Sequence, residues 1–440
     1  MCAKAGKAIL AAISVVMVIV AAACGSSQPT TSTSKPSASG NQTQPSASAS
    51  ASAPASAGAS AVPGVTDTEI TIGSFGTLSG AASWIGLGAR DGMNIVINEI
   101  NAAGGIYGRK IKIVSSDDQG DPAQALAAAK KAVERDKVFA ILSGAGTTSF
   151  MGAMDYLRQS GVPVINGISQ GGADTPFAPN IFHLYPAAGS AAAAFPTFIV
   201  DNLKLTKIAL IGGSDATGQS YLDGFNAELA RRGLKAVAME RFAVGDSDFS
   251  SQLLKIKATN PEAVLITGLA REVPLIIRQA RDLGLKMPLI TDATGTAKST
   301  LDVAGDAAEG AYTGYLLPSF FGDPNAEQQE FEKKWAAAYG KIEGRPNFVD
   351  QFYYGDAYVL KEALQKAGKD LTREKFIAAL ETFKDFHRPA GNPVTFSDKI
   401  HVVQMAISMN QVKDGNFLAT GFVYQADPPA YTTKGGPPKP

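Results

Sequence analysis

The chain has 440 residues, enough for two domains of ordinary size and too many for one compact core. Its 40 Lys+Arg balance 40 Asp+Glu, so the basic surplus of a nucleic-acid binder is missing, and a 45% hydrophobic content excludes a disordered chain. Both cysteines, Cys2 and Cys24, lie near the N-terminus, and His183, His387 and His401 stand in unrelated contexts. A disulfide framework, a structural zinc site and a cysteine nucleophile are therefore excluded from the body.

Lys4 and Lys7 precede an apolar run from Ala8 to Ala23, broken only by Ser14, and Ala21-Ala22-Ala23 lead into Cys24-Gly25. This order reads as a secretory signal over residues 1–23, its sixteen-residue core being shorter than the about 20 residues of a membrane span. Cys24 stands where a bacterial lipobox places its lipidated cysteine, with Ala21 where Leu is usual. Residues 24–65 are rich in Ser, Ala, Thr and Pro, with Lys35 as their only charge. Such a stretch buries too little to offset its ordering entropy, and predicts a disordered tether with a reach of about 35 Å. The expected location is extracytoplasmic, with a lipid anchor in the outer face of the cell membrane.

From Glu69 the pattern alternates. Glu69 to Phe75 reads as a strand, and Ala89, Met93, Val96, Ile97 and Ile100 recur at helical spacing until Gly104-Gly105. Lys110 to Ser115 is a strand, and Pro122 opens an Ala-rich helix to about Arg135. Val138 to Leu142 is a strand, Thr148 to Gln159 a helix, and Pro163 to Asn166 a strand. The same order returns with strands at Lys207 to Gly212, Lys235 to Phe242, Ala263 to Thr267 and Pro288 to Thr291. The helices between them are Gly218 to Arg232, Asp248 to Ala258 and Glu272 to Leu283. Strands begin near 70, 110, 138 and 163, then near 207, 235, 263 and 288, a pseudo-repeat that predicts two parallel sheets covered by helices. Three further helices (Glu327 to Tyr339, Gln351 to Lys366, Thr372 to Phe383) and a closing hairpin, Val402 to Val412 and Phe417 to Tyr424 about Asp414-Gly415, complete the body.

Open α/β sheets bind ligands beyond the carboxyl ends of their strands. Ser143 to Ser149 carries small residues and hydroxyls into a helix N-terminus, where N–H groups and the dipole suit a carboxylate; the alternative is that Thr148 or Ser149 only caps the helix. Asn166 to Gly172 is a second loop of small and polar residues, or an ordinary turn. Asp292 ends an apolar strand, where it either meets a ligand ammonium or caps the next helix. Trp84, in the first strand–helix loop, offers an apolar wall, whereas Trp335 keeps helical spacing with Phe331 and reads as core. Tyr353 and Tyr354 suit cleft or core equally. Asp117, Asp118 and Asp121 read as a solvated turn in preference to a metal site. No phosphate loop, nucleophile elbow or dinucleotide spacing is present in the sequence, which argues against an enzyme and against any cofactor.

Several runs in this body, Leu78-Ser79-Gly80, Ile100-Asn101-Ala102-Ala103-Gly104-Gly105-Ile106, Asp117-Asp118-Gln119-Gly120-Asp121-Pro122 and Arg278-Gln279-Ala280-Arg281, give it a family likeness. Through them it resembles the bacterial solute-binding proteins of the branched-chain amino acid (Leu/Ile/Val-binding) family, which serve ABC importers. The resemblance runs from about Glu69 to Tyr424. It implies a type I periplasmic-binding fold: α/β, two lobes each with a parallel sheet flanked by helices, joined by a three-strand hinge. The implied lobes are 66–187 with 317–402, and 188–316 with 403–426, followed by a flexible tail at 427–440. It carries the ligand carboxylate to Thr147 and Thr148, and the ammonium to Ile168, Ser169, Gln170 and Asp292. The ligand side chain falls to Trp84 or Ile85. Thr217-Gly218 stands where the family has Tyr-Gly, and Leu269 or Ala270 replaces a further aromatic, so the second lobe loses its aromatic contacts. The function implied is capture of a branched-chain or related amino acid by a monomeric lipoprotein that delivers it to an ABC permease. The alternatives are a sensor module, or an amide or aromatic acid as ligand.

Overall fold

Strands whose residues are buried on both faces need helices above and below, and the body is built on that requirement. The computed structural model describes residues 62–80, 82–167, 177–186, 188–269, 271–296, 298–317, 325–342, 345–403 and 406–425. The first half runs β1 (Glu69–Gly76), α1 (Ser83–Ala102), β2 (Lys110–Asp117), α2 (Pro122–Lys130), β3 (Ala140–Ser143), α3 (Thr147–Ser160), β4 (Val164–Asn166) and β5 (Ile181–His183). The second runs α4 (Ala188–Ala192), α5 (Ala194–Thr197), β6 (Ile208–Gly213), α6 (Ala216–Arg231), β7 (Ala238–Phe242), α7 (Ser250–Ala258), β8 (Ala263–Thr267), α8 (Glu272–Asp282), β9 (Leu289–Thr291), α9 (Lys298–Ala304) and β10 (Tyr312–Tyr315). Then follow α10 (Ala326–Tyr339), α11 (Phe348–Ala367), α12 (Arg373–Glu381), β11 (Ala406–Lys413) and β12 (Asn416–Gln425).

The first sheet has the order β2-β1-β3-β4-β5, all parallel. The second contains the same topology, β7-β6-β8-β9-β10, and is widened by the antiparallel hairpin β11–β12. The expected repeat is thus real, and each half has a fifth strand that the sequence reading missed. β5 and β10 are only three and four residues long, and His183 and Thr313 interrupt their apolar character, so neither shows a period. Alternate strand residues serve opposite layers. Ala140 and Leu142 join Met93 and Val96 of α1 and the buried face of α11, whereas Ile141 meets Ala125, Phe150 and Met154 of α2 and α3. In the second sheet Ile211 and Ile266 face α7 and α8, while Leu210 and Leu265 face Tyr221 and Phe225 of α6.

Local differences have local causes. The helix expected to reach Arg135 widens into a π-turn at Lys131–Arg135. α11 starts three residues early because Asn347 caps it reciprocally with Asp350. The hairpin strand begins at Ala406, since Val402 pairs instead with His183 of β5. Its turn is as expected: Asp414 and Gly415 both have positive φ, 51° and 69°. The acidic turn is solvated as expected at Gln119, Gly120 and Asp121, but not at Asp118. Asp118 is fully buried, its Oδ1 accepting from Thr77 Oγ1 at 2.9 Å and from the Gly120 amide at 2.8 Å. Burial pushes its carboxyl above the usual range. Asp117 accepts from Ser79 Oγ and the Leu78 amide, and Asp121 caps α2, so the three acids fasten loops to one another.

The chain passes between the sheets three times: after β5, after β10 and before β11. The first and third passages are bonded together, the His183 amide donating to the His401 carbonyl at 2.6 Å and the Val403 amide to the His183 carbonyl at 3.0 Å. Among the described residues no helix is long and apolar enough to cross a membrane.

Candidate functional site

Loops at the carboxyl ends of both sheets meet around a cleft that encloses about 490 Å³ of space open to solvent. The first sheet contributes Trp84 and Ile85 from the start of α1, Gly146 and Thr147 from the start of α3, Tyr185 beyond β5, and Phe348 at the head of α11. The second contributes Thr217 and Tyr221 from the first turns of α6, Gly268 and Leu269 after β8, and Asp292 to Thr294 after β9. A smaller hollow of about 310 Å³ adjoins it in the second sheet's loops, lined in part by Asp215, Phe242 and Thr267.

The apolar wall is aromatic. Trp84 belongs to the first turn of α1, not to the preceding loop, and its ring lies 5.8 Å from that of Phe348. Tyr185 packs on Phe352 at 5.0 Å. The second sheet's wall carries Tyr221, one helical turn beyond Thr217. This half therefore does present an aromatic ring to the cleft, four residues past Thr217. That i, i+4 spacing was the available signal, because positions so related share a helix face. Phe348 and Tyr185 had none: one follows an unrecognised cap, the other an unrecognised strand.

The polar ends of the cleft differ in sign. α3 begins at Thr147 with Gly146 as its N-cap and no side-chain cap, so the simple capping role for Thr148 or Ser149 does not hold. The first-turn amides point toward the cleft mouth with the positive end of the helix dipole. Thr147 is among the residues that line the cleft, and Thr148 is not. On the other side Asp292 is buried immediately after β9. Its Oδ1 accepts from the Thr294 amide at 3.1 Å and from Thr294 Oγ1, and its Oδ2 from the Gly268 amide at 3.4 Å. Asp292 therefore both caps the short 3₁₀ turn Ala293–Thr296 and faces the cleft. Burial pushes its carboxyl up to about 6, against those hydrogen bonds, which pull it down. No Lys, Arg or His lies among the described residues of the cleft wall.

Of the residues singled out from sequence, the structure thus brings Trp84, Ile85, Thr147, Thr217, Leu269 and Asp292 to one cavity. Ile168, Ser169, Gln170 and Ala270 lie outside the described residues, as does Cys24. Tyr353 and Tyr354 belong to the core. Tyr353 donates to the Ser143 carbonyl, and Tyr354 packs on Phe331 at 5.0 Å. Trp335 is also core, donating to Asp350 Oδ1 at 3.1 Å. Among the described residues no group of three or more His, Cys, Asp or Glu is placed to hold a metal ion.

Two mostly parallel sheets of matching topology, joined by three passages and opening their loop-bearing ends onto one cleft, define a binding protein of the type I periplasmic-binding fold. The sequence model of the periplasmic binding proteins matches residues 69–416, and the chain belongs to that family. It is 30% identical over 257 residues to an amino acid binding protein of Pseudomonas aeruginosa, covering 58% of this chain and 68% of the relative. Two solved structures share the fold. The branched-chain amino acid transporter substrate-binding protein LivJ of Streptococcus pneumoniae, in complex with isoleucine, aligns with TM-score 0.69 and 22% identity over 82% of this chain and 100% of its own. A solute-binding protein of an ABC transporter from R. palustris, in complex with benzoate, aligns with TM-score 0.70 and 22% identity over 82% and 97%.

Proposed function

We propose that this chain is the extracytoplasmic receptor of an ABC importer, and that it captures a zwitterionic amino acid with an apolar side chain. One observation carries the reading: an aromatic cleft with the N-terminal end of α3, at Gly146 and Thr147, on one wall and a buried carboxylate, Asp292, on the other. The amides and the Thr147 hydroxyl receive the ligand carboxylate; Asp292 receives its ammonium, with Ile168, Ser169 and Gln170 assigned to the same end. Trp84, Phe348, Tyr185 and Tyr221 enclose the side chain, and Thr217 borders it. A benzoate-like ligand is disfavoured, because it would leave the Asp292 carboxylate buried beside an anion without a cation to balance either.

Binding consists of closure of two lobes, 66–187 with 317–402 and 188–316 with 403–426, over a ligand that contacts both and so favours the closed arrangement. The mature protein begins at a lipidated Cys24, tethered by residues 24–65 to the outer face of the cell membrane, acts as a monomer and presents its cargo to the permease. No covalent step is needed. The reading is tested by thermal shift against L-leucine, L-isoleucine, L-valine, L-leucinamide, 4-methylpentanoate and benzoate. A true ligand present at a hundred times its Kd adds about 2.7 kcal/mol of stability. The amino acids are expected to raise Tm, and the two analogues lacking carboxylate or ammonium to do so far less. Greater stabilisation by benzoate than by every amino acid would overturn the assignment.

A further inference from the structure

Helix α11 turns a row of buried polar side chains toward the ends of the first sheet's strands. Asp356 and Arg388, both without solvent exposure, form an ion pair there. Arg388 Nε donates to the Asn392 carbonyl at 2.8 Å, and Nη2 to the carbonyl of Leu184, the first residue past β5, at 3.4 Å. Its guanidinium lies 5.6 Å from the centre of the Phe352 ring, on which the cleft residue Tyr185 packs. The Asn392 side chain donates to the carbonyl of Leu316, the first residue past β10. Gln351 adds a parallel link, donating to the Ala390 carbonyl at 3.0 Å and accepting from the Tyr315 hydroxyl at 3.4 Å. Gly167, the first residue after β4, sits against the same row: a Cβ there would lie 2.6 Å from Asp356 Oδ2 and 2.7 Å from the Tyr353 hydroxyl oxygen, so its backbone approaches as closely as a glycine allows.

A buried ion pair is a poor device for stability, since apolar side chains of the same volume serve as well or better. The bonds of this one run on to main chain, directly to Leu184 and, through Asn392, to Leu316. They reach the first carbonyls of two of the three interlobe passages, and a neighbouring ring backs the cleft wall. We infer that Arg388 and Asn392 are positioning residues that fix how the passages after β5 and β10 leave the first lobe, and thereby hold the lobes in the arrangement that binds ligand. The inference rests on the closure reading above. Loss of the anchor leaves every cleft side chain in place but broadens the range of lobe orientations, so that only a fraction of molecules is competent and the apparent Kd rises by the inverse of that fraction.

The test uses the full chain with Cys2→Ser and Cys24→Ser, spin-labelled through Gln124→Cys on α2 and Leu254→Cys on α7, both exposed sites. Interlobe distance distributions are recorded by pulsed electron paramagnetic resonance without ligand and with saturating L-leucine. Asn392→Ala, and separately the paired change Asp356→Leu with Arg388→Met, are expected to broaden the ligand-free distribution. They should also weaken leucine binding about tenfold, chiefly through a slower apparent association, since fewer free molecules are competent. Should the paired change prevent folding, Asn392→Ala, which leaves the ion pair intact, decides the matter. A ligand-free distribution as narrow as that of the parent chain, in a variant with cooperative unfolding, overturns the inference. Failure of the parent chain to bind leucine would count against the ligand assignment alone, because the ligand-free distributions still report on the anchor.

Discussion

Asp292 is a carboxylate taken out of water with no cation beside it among the described residues of the cleft wall, and its titration follows from its burial. The folded state keeps its proton up to about 6, whereas an unfolded chain releases it near 3.8. Its contribution to folding stability is therefore greatest in acid and falls as pH rises through that window. Binding of an ammonium runs the other way, because the ligand needs the ionised form. The affinity for L-leucine should climb with pH up to about 6 and then level, being weaker by about tenfold at one pH unit below it. Asp292→Asn should abolish that slope and cost about 1–3 kcal/mol of binding at neutral pH. Calorimetric titration across the range decides this, and a flat profile in the parent protein removes Asp292 from the ammonium end. Tyr221 makes a complementary point at the same scale. Its place in the cleft follows from helix geometry, one turn past Thr217, and it presents an aromatic ring from the second half.

At the scale of elements, the aromatic wall depends on how α1 meets α11. Trp84 opens one helix and Phe348 the other, so their contact is set by the packing of two 20-residue helices. Gly88 and Gly92 give α1 a flat face. A Cβ on Gly92 would lie 2.1 Å from the Asp350 carbonyl oxygen, so the helices approach backbone to side-chain-free backbone. Arg345 locks the same joint, donating to Asp91 Oδ2 at 2.8 Å and to the Leu87 carbonyl at 3.2 Å while also pairing with Asp350. In a free helix Gly→Ala gains about 1 kcal/mol. Here Gly92→Ala should instead destabilise by about 1–3 kcal/mol through overpacking. Urea unfolding measures it, and a gain in stability would show that the helices separate without cost.

Over the whole molecule, the two halves repeat one topology, and the hairpin β11–β12 sits on only the second of them. The third passage exists because the chain must return to build that hairpin, and it is fastened to the first through His183 and His401. Three connections confine relative motion of the halves far more than one would, which suits the closure proposed above. The tether proposed for residues 24–65 is tested at this scale too. Cys24→Ser should move the protein from the membrane fraction to the soluble extracytoplasmic fraction of cells expressing it. Retention in the membrane pellet after this change would mean that another feature holds it there.

Much of this architecture could be read along the chain. Apolar runs of five residues bounded by glycine, proline and caps mark parallel strands, and each strand end marks a loop that must lie on one edge of its sheet. That reasoning pointed to Trp84, Thr147 and Asp292, which stand in or just beyond segments that follow a strand, whereas Thr217 came forward only through the family resemblance. Tyr185 and Phe348 came from the folded molecule alone, whereas Tyr221 carried a signal in its spacing from Thr217. Their place in the cleft depends on which helical turn one sheet presents to the other, a relation between segments far apart in sequence. The same holds for Asp118, Asp356 and Arg388. A charged side chain met singly reads as solvated, and its burial is decided by a partner that only folding brings alongside, as Arg388 comes to Asp356 across 32 positions.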